Sequence, residues 1–548
     1  MERRRRQTLL AIVAILSTAG IAFLAYSPIL DYFFTGTDTL TLIETSRIHS
    51  AQDVHRLFTQ PLMAGTRFVD VAKFYRPLAS LSYSLDYSLW KLEPFGFQLT
   101  NLVLHVLVSI LVFLLLRVLC AGDTTVAWIG ALVFATHPIL VESVPAIDRR
   151  HDMLAVMFLI ASLLAFVRYR RPTGPRTLFL VLSITSYVLG LGAKETAIVL
   201  PFVVFLHYLV FPEESSHLRR IAVAAKGVAG YLAATVVYVG WRFYVLGGLG
   251  GYQEAASFDV HQMLQYLANI IHSYFQDLLY PADFLGVMEA QTGYTLTAVM
   301  ISAFAGYLLV FAWQAGQKGA GEHGSLQRRL LLFFAGWLPL PLMLFEATLT
   351  FAHRSMYLSV IPFSGILAIT IVGNVRSLCG ALKNGPSGSK CRHASVLGAR
   401  LAVLVLGVAL SASLMAHSPL LRQYKGWEDS AEISFLVLKK LVASVPELPR
   451  NCAIHLYDLP DGIQSYQSKI PHSKDVAFLQ DYSIKSWLNL NIPNNALKVI
   501  IQSRSWPRKF SGTLNLTVRV LSHDSAWALV TLGETRYSRL RRTGYYYR

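Results

Sequence analysis

The sequence predicts an α-helical protein that crosses a membrane about eleven times and carries a small folded domain after its last membrane helix. Hydrophobic residues make up 54% of the 548 residues and charged residues only 15%, whereas soluble proteins average about 25% charged residues. Apolar runs of spanning length recur through residues 1–416. The composition becomes mixed from residue 417 to residue 548. We therefore divide the chain into a membrane domain, 1–416, and a soluble domain, 417–548.

The membrane helices are predicted from these runs, because a spanning helix needs about 20 mostly apolar residues. The first run is long and no small-residue cleavage site follows it, so we interpret it as a retained helix and not as a signal peptide. The third run is short, and the fifth and sixth are nearly fused. The predicted spans are residues 8–30, 97–119, 125–140, 152–168, 176–193, 195–212, 221–246, 294–315, 328–346, 354–374 and 396–416.

The charges between the runs predict the orientation. Loops rich in lysine and arginine all fall on the side of the N-terminus, which the positive-inside rule assigns to the cytoplasm. The formal net charge of +17 is attributed to these loops and not to nucleic-acid binding, since no nucleic-acid-binding module is recognisable. We expect a multi-pass protein of the inner (plasma) membrane with a cytoplasmic N-terminus and an extracytoplasmic, periplasmic C-terminal domain. The basic loops lie at 168–176, 217–220, 327–329 and 376–400.

Two long loops are predicted on the outer side, at about 31–95 and 247–293. In the second, apolar residues of 261–281 recur at roughly helical spacing. This pattern predicts either an amphipathic helix that lies in the membrane interface or a helix that packs on the bundle.

The soluble domain is predicted to be α/β or β-rich. Residues 431–442 have a helical pattern. Four segments rich in β-branched and aromatic residues are typical of strands, and they lie at 453–457, 497–501, 514–521 and 527–531.

Asp38, just beyond the first predicted helix, is the candidate catalytic base. A transfer to a hydroxyl group needs a base to take the proton, and a positioned carboxylate contributes about 10²–10⁴-fold to the rate. Gly36 would let the chain turn so that the carboxylate faces a cavity. The alternative is an aspartate that caps a turn. Asp31 and Glu44 are the rival carboxylates.

Arg76 is the first candidate contact for a phosphate group. It precedes Pro77, whose ring fixes the backbone after it. A guanidinium near the interface can hold a phosphate through two parallel hydrogen bonds. The alternative is an arginine whose side chain extends to lipid headgroups.

Further ionisable residues are predicted at the outer ends of the membrane helices, where such groups are functional candidates by default. This layout indicates an enzyme that acts at the outer interface on a lipid-borne, phosphate-containing substrate, and the alternative is a structural network of ion pairs. No Asp-x-Asp pair or Cys-x-x-Cys spacing is present, so no metal and no cofactor is predicted, although Asp38 with Glu44 leaves a divalent ion open. The candidate binding residues are Arg76, His137, Glu142, Arg149, Arg150, Lys194, Arg354 and Tyr357.

Taken together, these motifs resemble the membrane glycosyltransferases of the GT-C class. The closest resemblance is to the transmembrane, tetratricopeptide-repeat-containing O-mannosyltransferases and their bacterial relatives, over roughly residues 25–375. Each motif is weak alone, but their order and spacing agree. The motifs are Tyr75-Arg76-Pro77-Leu78, His137-Pro138 with Glu142, Arg150 with Asp152, Lys194-Glu195, and Arg354 with Tyr357.

The resemblance implies a GT-C fold, a polyprenyl-phosphate-linked sugar donor and a catalytic acid in the first outer loop. It assigns Asp38 as the base and Arg76, Arg150 and Arg354 as phosphate contacts. Two features depart from the family: Thr37 stands beside Asp38 in place of a second acid, and the tetratricopeptide repeats are absent. Without the repeats and with a compact outer domain, the chain is typical of a prokaryotic inner-membrane enzyme.

The predicted function is an inverting glycosyltransferase that moves a sugar from a polyprenyl phosphate to a hydroxyl acceptor on a protein, a glycolipid or a cell-envelope glycan. Its predicted partners are the donor, the acceptor and membrane lipid. A transporter or flippase of lipid-linked sugars is the first alternative, but it would place charges near the middle of the bilayer. A non-catalytic membrane scaffold is the second.

Overall fold

The protein is described by a computed structural model. The residues that the structure describes are 2–214, 216–252, 260–279, 302, 306, 321–342, 356–384, 390–421, 425–444, 453–457, 459–460, 462–464, 475–477, 479–492, 497–502, 504–505, 516–521 and 528–532.

Long apolar helices dominate the first part of the chain. Proline begins α5 and α6, where its missing N–H removes no helical hydrogen bond. The helices are α1 (Glu2–Tyr26), α2 (Thr39–Ser46), α3 (Ala51–Thr59), α4 (Phe68–Val71), α5 (Pro77–Trp90), α6 (Pro94–Leu119), α7 (Thr124–Thr136), α8 (Arg150–Tyr169), α9 (Arg176–Ala193), α10 (Leu200–Val210), α11 (His217–Leu246), α12 (Val260–Leu279), α13 (Gly321–Trp337), α14 (Val360–Asn384) and α15 (Lys390–Ala416).

Within the described residues, six segments are long and apolar enough to cross a membrane, and three shorter apolar helices accompany them. The chain is therefore a multi-pass helical membrane protein. The predicted run 294–315, and parts of 328–346 and 354–374, lie outside the described residues, so the predicted number of eleven spans is not tested. The six segments are Arg4–Asp31, Pro94–Leu119, Ile147–Tyr169, Arg176–Ala193, His217–Leu246 and Val360–Cys379.

The third predicted span, 125–140, is shorter than expected. Helix α7 ends at Thr136, and His137 leaves the helical conformation with a ψ of 128°. The residue before a proline is biased away from the α-helix, and Pro138 instead starts a short 3₁₀ helix, Pro138–Glu142.

The helix predicted at 261–281 is present as α12 and packs on the bundle. Ile270, Tyr274 and Leu278 are buried and belong to the main hydrophobic core of the membrane helices. The Tyr274 hydroxyl donates to the carbonyl of Leu338. The described side chains of α12 therefore agree with the alternative of a helix that packs on the bundle.

The core of the bundle is built around α8, which packs along α9 and against α6, while α7 packs on α6, α1 and α14. Small residues allow close approach, since a Cβ at Gly130 would lie 3.4 Å from the Ala368 methyl group and 2.4 Å from a Leu116 methyl group. The bundle therefore holds the ends of α6, α7, α8 and α9 in fixed positions relative to one another.

Among the residues after α15 that the structure describes, two helices and a four-stranded sheet are formed. The helices are α16 (Lys425–Ser444) and α17 (Asp481–Asn491), and the sheet contains β3 (Ala453–Tyr457), β7 (Lys498–Ile501), β9 (Leu516–Leu521) and β10 (Ala528–Leu532). The order is β10-β9-β3-β7. Strand β3 pairs parallel with β7, with Ile454 opposite Val499, and antiparallel with β9, with Ile454 opposite Val520.

Short strand pairs complete the fold of the described residues. They involve β1 (Ala72–Lys73), β2 (Gly251–Tyr252), β4 (Leu459–Pro460), β5 (Gly462–Gln464), β6 (Asp475–Ala477) and β8 (Arg504–Ser505). The four strands of the sheet lie within two residues of the predicted segments, whereas α17 is not among the predicted elements.

The loop after α1 and the C-terminal elements share one hydrophobic core, distinct from that of the bundle. Phe33 and Phe34 pack edge-on or tilted against Trp487, with ring centroids 5.7 and 6.1 Å apart. Ile43 of α2 and Ile484 of α17 are both fully buried in this core. Burial of each large apolar side chain contributes about 1.5–3 kcal/mol, so α17 is fixed on α2. We call the end of the bundle where residues 27–93 lie the upper end.

Candidate functional site

Asp38 lies at the start of α2, after a turn that only glycine forms without strain. Gly36 has a φ of +92°, and a Cβ there would lie 2.2 Å from Oδ1 of Asp148. The backbone N–H of Asp38 donates to Oδ2 of Asp148 over 3.2 Å. The glycine therefore lets two chain segments meet and brings two carboxylates together.

The carboxylate of Asp38 does not cap the helix that it precedes. Asp38 occupies the N-cap position of α2, but its side chain makes no capping hydrogen bond. Instead, its Oδ1 accepts a hydrogen bond of 2.7 Å from the hydroxyl of Tyr482 in α17. The alternative of a turn-capping aspartate is therefore not what the structure shows.

Arg76 is buried beneath the loop and paired with a carboxylate. Its Nη2 and Nε donate to the two oxygens of Glu195 over 2.6 and 3.2 Å, a bidentate arrangement. Its Nη1 donates to Nε2 of His151 over 3.1 Å. Because arginine can only donate, His151 accepts at Nε2 and its ring is neutral.

Arg76 also borders a small cleft, with a cavity volume of about 20 Å³. The other lining residues come from α2, α3, the segment directly after α3, and α5, with Arg56 as a second guanidinium. Thr45 of α2 lines the cleft and lies seven residues after Asp38, which is about 10 Å along a helix axis. The cleft and the carboxylate therefore lie at opposite ends of one short helix.

Lys194 extends the charged cluster around Arg76. Its Nζ lies 2.5 Å from Oδ1 of Asp152, and both side chains are less than a tenth exposed. Arg242 of α11 lies 3.5 Å from Glu195. Three cations thus face two carboxylates with a neutral histidine, which leaves a net positive charge at the upper end of α8, α9 and α11.

Arg150 is enclosed by protein groups. Its side chain is fully buried and lies 2.6 Å from Oδ2 of Asp86. Its Nε donates to Oδ1 of Asn101 over 2.8 Å, and its Nη2 donates to the carbonyl of Phe97 over 3.0 Å. The N–H groups of Arg150 are therefore buried, and none of them is exposed to contact a phosphate as the sequence predicted.

Arg149 and Glu142 form a separate pair of 2.9 Å on the same loop. The guanidinium of Arg149 also lies 5.4 Å from the ring centre of Trp427 in α16, within the range of a cation–π contact. Both side chains are only about a tenth exposed. This pair ties the loop between α7 and α8 to the C-terminal elements, as the alternative of an ion-pair network supposes.

His137 and Tyr357 are buried between helices. Nδ1 of His137 accepts the N–H of Ile139, so its Nε2 carries the hydrogen and donates to the carbonyl of Leu278 over 3.1 Å. The hydroxyl of Tyr357 lies 2.8 Å from Nδ1 of His105. Both residues therefore join helices in this structure. Arg354 lies outside the described residues.

Asp148, His151, Arg242 and Tyr482 belong to the site but were not among the predicted residues. Asp148 follows from no local motif, because its closeness to Asp38 depends on the fold. Tyr482 belongs to a helix that the apolar spacing of Ile484, Trp487 and Leu488 could have revealed. In the described part of the chain, three or more histidine, cysteine, aspartate or glutamate side chains do not converge as metal ligands, and the absence of a cofactor stays a prediction.

Comparison with known proteins confirms the resemblance found in the sequence. Residues 77–241 match the family model described as dolichyl-phosphate-mannose-protein mannosyltransferase. The protein O-mannosyl-transferase Tmtc1 of Drosophila melanogaster is 32% identical over 33% of this chain and 21% of its own length. Human TMTC3 is 29% identical over 28% of this chain and 17% of its own length. The chain thus spans about a fifth of the length of these relatives.

Solved structures of two membrane proteins are similar at low identity. ArnT from Cupriavidus metallidurans matches with a TM-score of 0.41 and 13% identity, over 91% of this chain and 86% of that one. The oligosaccharyltransferase of Archaeoglobus fulgidus matches with a TM-score of 0.39 and 12% identity, over 78% of this chain and 58% of that one.

Proposed function

We propose that this protein is an inverting glycosyltransferase that moves a sugar from a polyprenyl-phosphate donor to a hydroxyl acceptor at the outer face of the membrane. The observation that carries this proposal is the arrangement around α2. The Asp38 carboxylate makes no capping hydrogen bond and is held by Tyr482 at one end of this helix, and the cleft lined by Arg76 lies at the other end. The matching family, whose name includes a dolichyl-phosphate sugar, supports a donor of that class.

In the proposed reaction, the acceptor oxygen attacks the anomeric carbon of the donor while its proton passes to Asp38. The bond between that carbon and the phosphate oxygen breaks, and the polyprenyl phosphate leaves with the electron pair. Inversion follows because one displacement occurs. Holding both substrates in one groove supplies much of the rate by proximity, and stabilisation of the leaving phosphate supplies more.

We place the phosphate of the donor beside Arg76 and its cluster. The net positive charge of Arg76, Lys194 and Arg242 with their two carboxylates favours a phosphate there. Asp38 and Thr45 lie about 10 Å apart along the axis of α2, so the proposed reaction requires the sugar and its phosphate to extend between the two ends of this helix. Arg354 remains a proposed second contact on the ground of the resemblance alone. Arg150 is left out because it is fully buried and, unlike Arg76, does not line the cleft.

We further propose that the upper end faces outside the cytoplasm, in a prokaryotic inner membrane. The chain between α8 and α9 contains Arg170 and Arg171 and lies at the opposite end of the bundle, where the positive-inside rule expects cytoplasmic loops. The N-terminus of α1 lies at that end as well. The helices and sheet after α15 would then be extracytoplasmic, and the acceptor would be a protein, a glycolipid or an envelope glycan.

The test is turnover of radiolabelled polyprenyl-phosphate sugars by the purified protein and by Asp38→Asn. The substitution keeps an oxygen that can accept from Tyr482, so the loop is expected to stay folded. We expect turnover of one donor by wild type, a decrease of about 10²–10⁴-fold in the variant, and unchanged donor binding. Asp148→Asn and Glu44→Gln are the matched controls for the neighbouring carboxylates.

Full turnover by Asp38→Asn would assign the base to another carboxylate, with Asp148 tested first because it contacts the Asp38 backbone. If wild type neither bound nor turned over any of the donors, the proposed transferase activity would be contradicted. The remaining hypotheses would be a transporter of lipid-linked sugars and a non-catalytic scaffold. A transporter would then move the labelled donor across a vesicle membrane without release of sugar.

A further inference from the structure

Helix α17 meets α2 along three side-chain hydrogen bonds, which we call the α2–α17 ladder. The donors on α17 are spaced by four and three residues and the acceptors on α2 by three and three, so each set lies on one helix face. The rungs are Tyr482 to Asp38 at 2.7 Å, Ser486 to Thr41 at 3.1 Å, and Asn489 to Glu44 at 2.7 Å.

The rest of α17 holds this face in place. Ile484 and Leu488 are fully buried in the shared core, and the indole of Trp487 donates to the carbonyl of Leu438 over 3.0 Å. These contacts fix the backbone of α17 relative to α2 and so hold the start of the Tyr482 side chain beside Asp38. The top rung is therefore a fixed feature of the site and not a chance surface contact.

We propose that Tyr482 is a positioning residue for the catalytic base, and that its hydroxyl holds the Asp38 carboxylate in the orientation that receives the proton of the acceptor. This inference rests on the proposed function. During transfer the acceptor proton passes to Asp38, while Tyr482 keeps its own proton and remains a donor. The C-terminal elements thereby supply a part of the site that the membrane helices lack.

The surroundings keep the phenol protonated. Burial, followed by the negative charge of Asp38, raises the pKa of Tyr482 well above its usual range, so it stays a hydrogen-bond donor throughout the working pH range. Three other carboxylates lie around the contact between Tyr482 and Asp38. Asp148 accepts from the Asp38 backbone, and Asp481 pairs with Arg67. Glu44 lies near the positive charge of Lys485.

Tyr482→Phe is the decisive variant. A hydrogen bond to a carboxylate stabilises its charged form. Loss of the Tyr482 hydroxyl should therefore make Asp38 harder to deprotonate. In a plot of kcat/KM against pH, we expect the fall of activity at low pH, which we call the acid limb, to move to higher pH. We expect kcat to fall roughly 10-fold, the size of an effect from one hydrogen bond to a charged group. Donor binding should not change, because the phenol lies away from the Arg76 cleft.

Two further variants separate positioning from docking. Ser486→Ala removes the middle rung of the same ladder, and we expect it to leave the pH profile unchanged. Incorporation of trifluorotyrosine at Tyr482 keeps the shape of the side chain and strengthens the donor, so we expect the acid limb to move to lower pH. Thermal unfolding of each variant shows whether it is folded.

We expect the acid limb to move to higher pH in Tyr482→Phe and to lower pH in the trifluorotyrosine variant. We expect the pH profile of Ser486→Ala to equal that of wild type. If wild type and both Tyr482 variants had equal pH profiles, the proposed role of Tyr482 in positioning Asp38 would be wrong. The proposed transferase activity would be unaffected, because it is tested separately by wild type and Asp38→Asn. If Ser486→Ala moved the acid limb as far as Tyr482→Phe does, the shift would be attributed to weaker docking of α17 on α2 and not to the Tyr482 hydroxyl. A wild type without turnover would overturn both proposals together.

Discussion

Arg150 and Asp86 form an ion pair of 2.6 Å in which the guanidinium is fully buried and the carboxylate is 4% exposed. Burial raises the pKa of Asp86, and the charge of Arg150 opposes that increase. The hydroxyl of Thr100 donates to the other oxygen of Asp86 over 2.8 Å. The pair fixes α5 to α8 and so supports the loop that carries Arg76.

Arg150→Met is expected to destabilise the protein by about 3–5 kcal/mol, because it leaves the charge of Asp86 buried without its partner. The measurement is unfolding of the purified protein in detergent. The double variant with Asp86→Leu should recover part of the loss, since removal of both charges avoids the desolvation cost. Loss of donor affinity at unchanged stability would instead show that Arg150 binds phosphate.

Arg76→Lys is expected to weaken donor binding roughly 10- to 100-fold, the range of a hydrogen bond to a charged group. Lysine keeps the charge but cannot form the two parallel bonds to Glu195 that orient the side chain. The measurement is equilibrium binding of a polyprenyl-phosphate sugar. Unchanged affinity with a lower unfolding temperature would make Arg76 a structural residue like Arg150.

Gly36→Ala is expected to abolish most turnover. Its φ of +92° costs a non-glycine residue about 1–3 kcal/mol, and its Cβ would displace the carboxylate of Asp148. Gly65→Ala is the matched control, because Gly65 has a φ of +81° with no atom within 4 Å of the added Cβ. We expect the control to lose some stability and keep its turnover number. Equal turnover in the two variants would contradict a role of the Gly36 contact.

Trp487→Ala is expected to cost about 3–5 kcal/mol and to release α17 from α2, because the indole contacts Phe33 and Phe34 across the shared core. Limited proteolysis should then cleave the C-terminal elements faster than in wild type. Arg67→Ala breaks a solvent-exposed pair with Asp481 at the same interface, and exposed pairs contribute about 0–1 kcal/mol. Equal protease sensitivity in both variants would show that the indole does not hold the interface.

Features that depend on nearby residues were predictable from the sequence. The membrane helices follow from apolar length, and the turn at Gly36 was expected from the glycine itself. The predicted span 125–140 ran past the observed end of α7 at Thr136, although Pro138 is a local cause of that end. The strands of the sheet were visible in their β-branched residues. In each case the physical cause lies within a few residues of the effect.

Features that depend on distant partners were not predictable. Arg149 and Arg150 are neighbours with the same side chain, yet one contacts Glu142 and the other enters the core to meet Asp86 and Asn101. Helix periodicity does not tell which of the two points inward when no partner is known. The contact of Asp38 with Tyr482 joins residues 444 positions apart, and no local pattern encodes it.

That separation has a consequence for biosynthesis. Residues 27–93 leave the ribosome early, but the helix that completes their hydrophobic core is translated more than 380 residues later. Until then the early segment exposes Phe33, Phe34 and Ile43, which are buried in the finished protein. Contacts of such long range form slowly, so a nascent chain can insert its first membrane helices while the Asp38 region is still unfinished. The newly made protein therefore completes the surroundings of Asp38 only after α17 has docked.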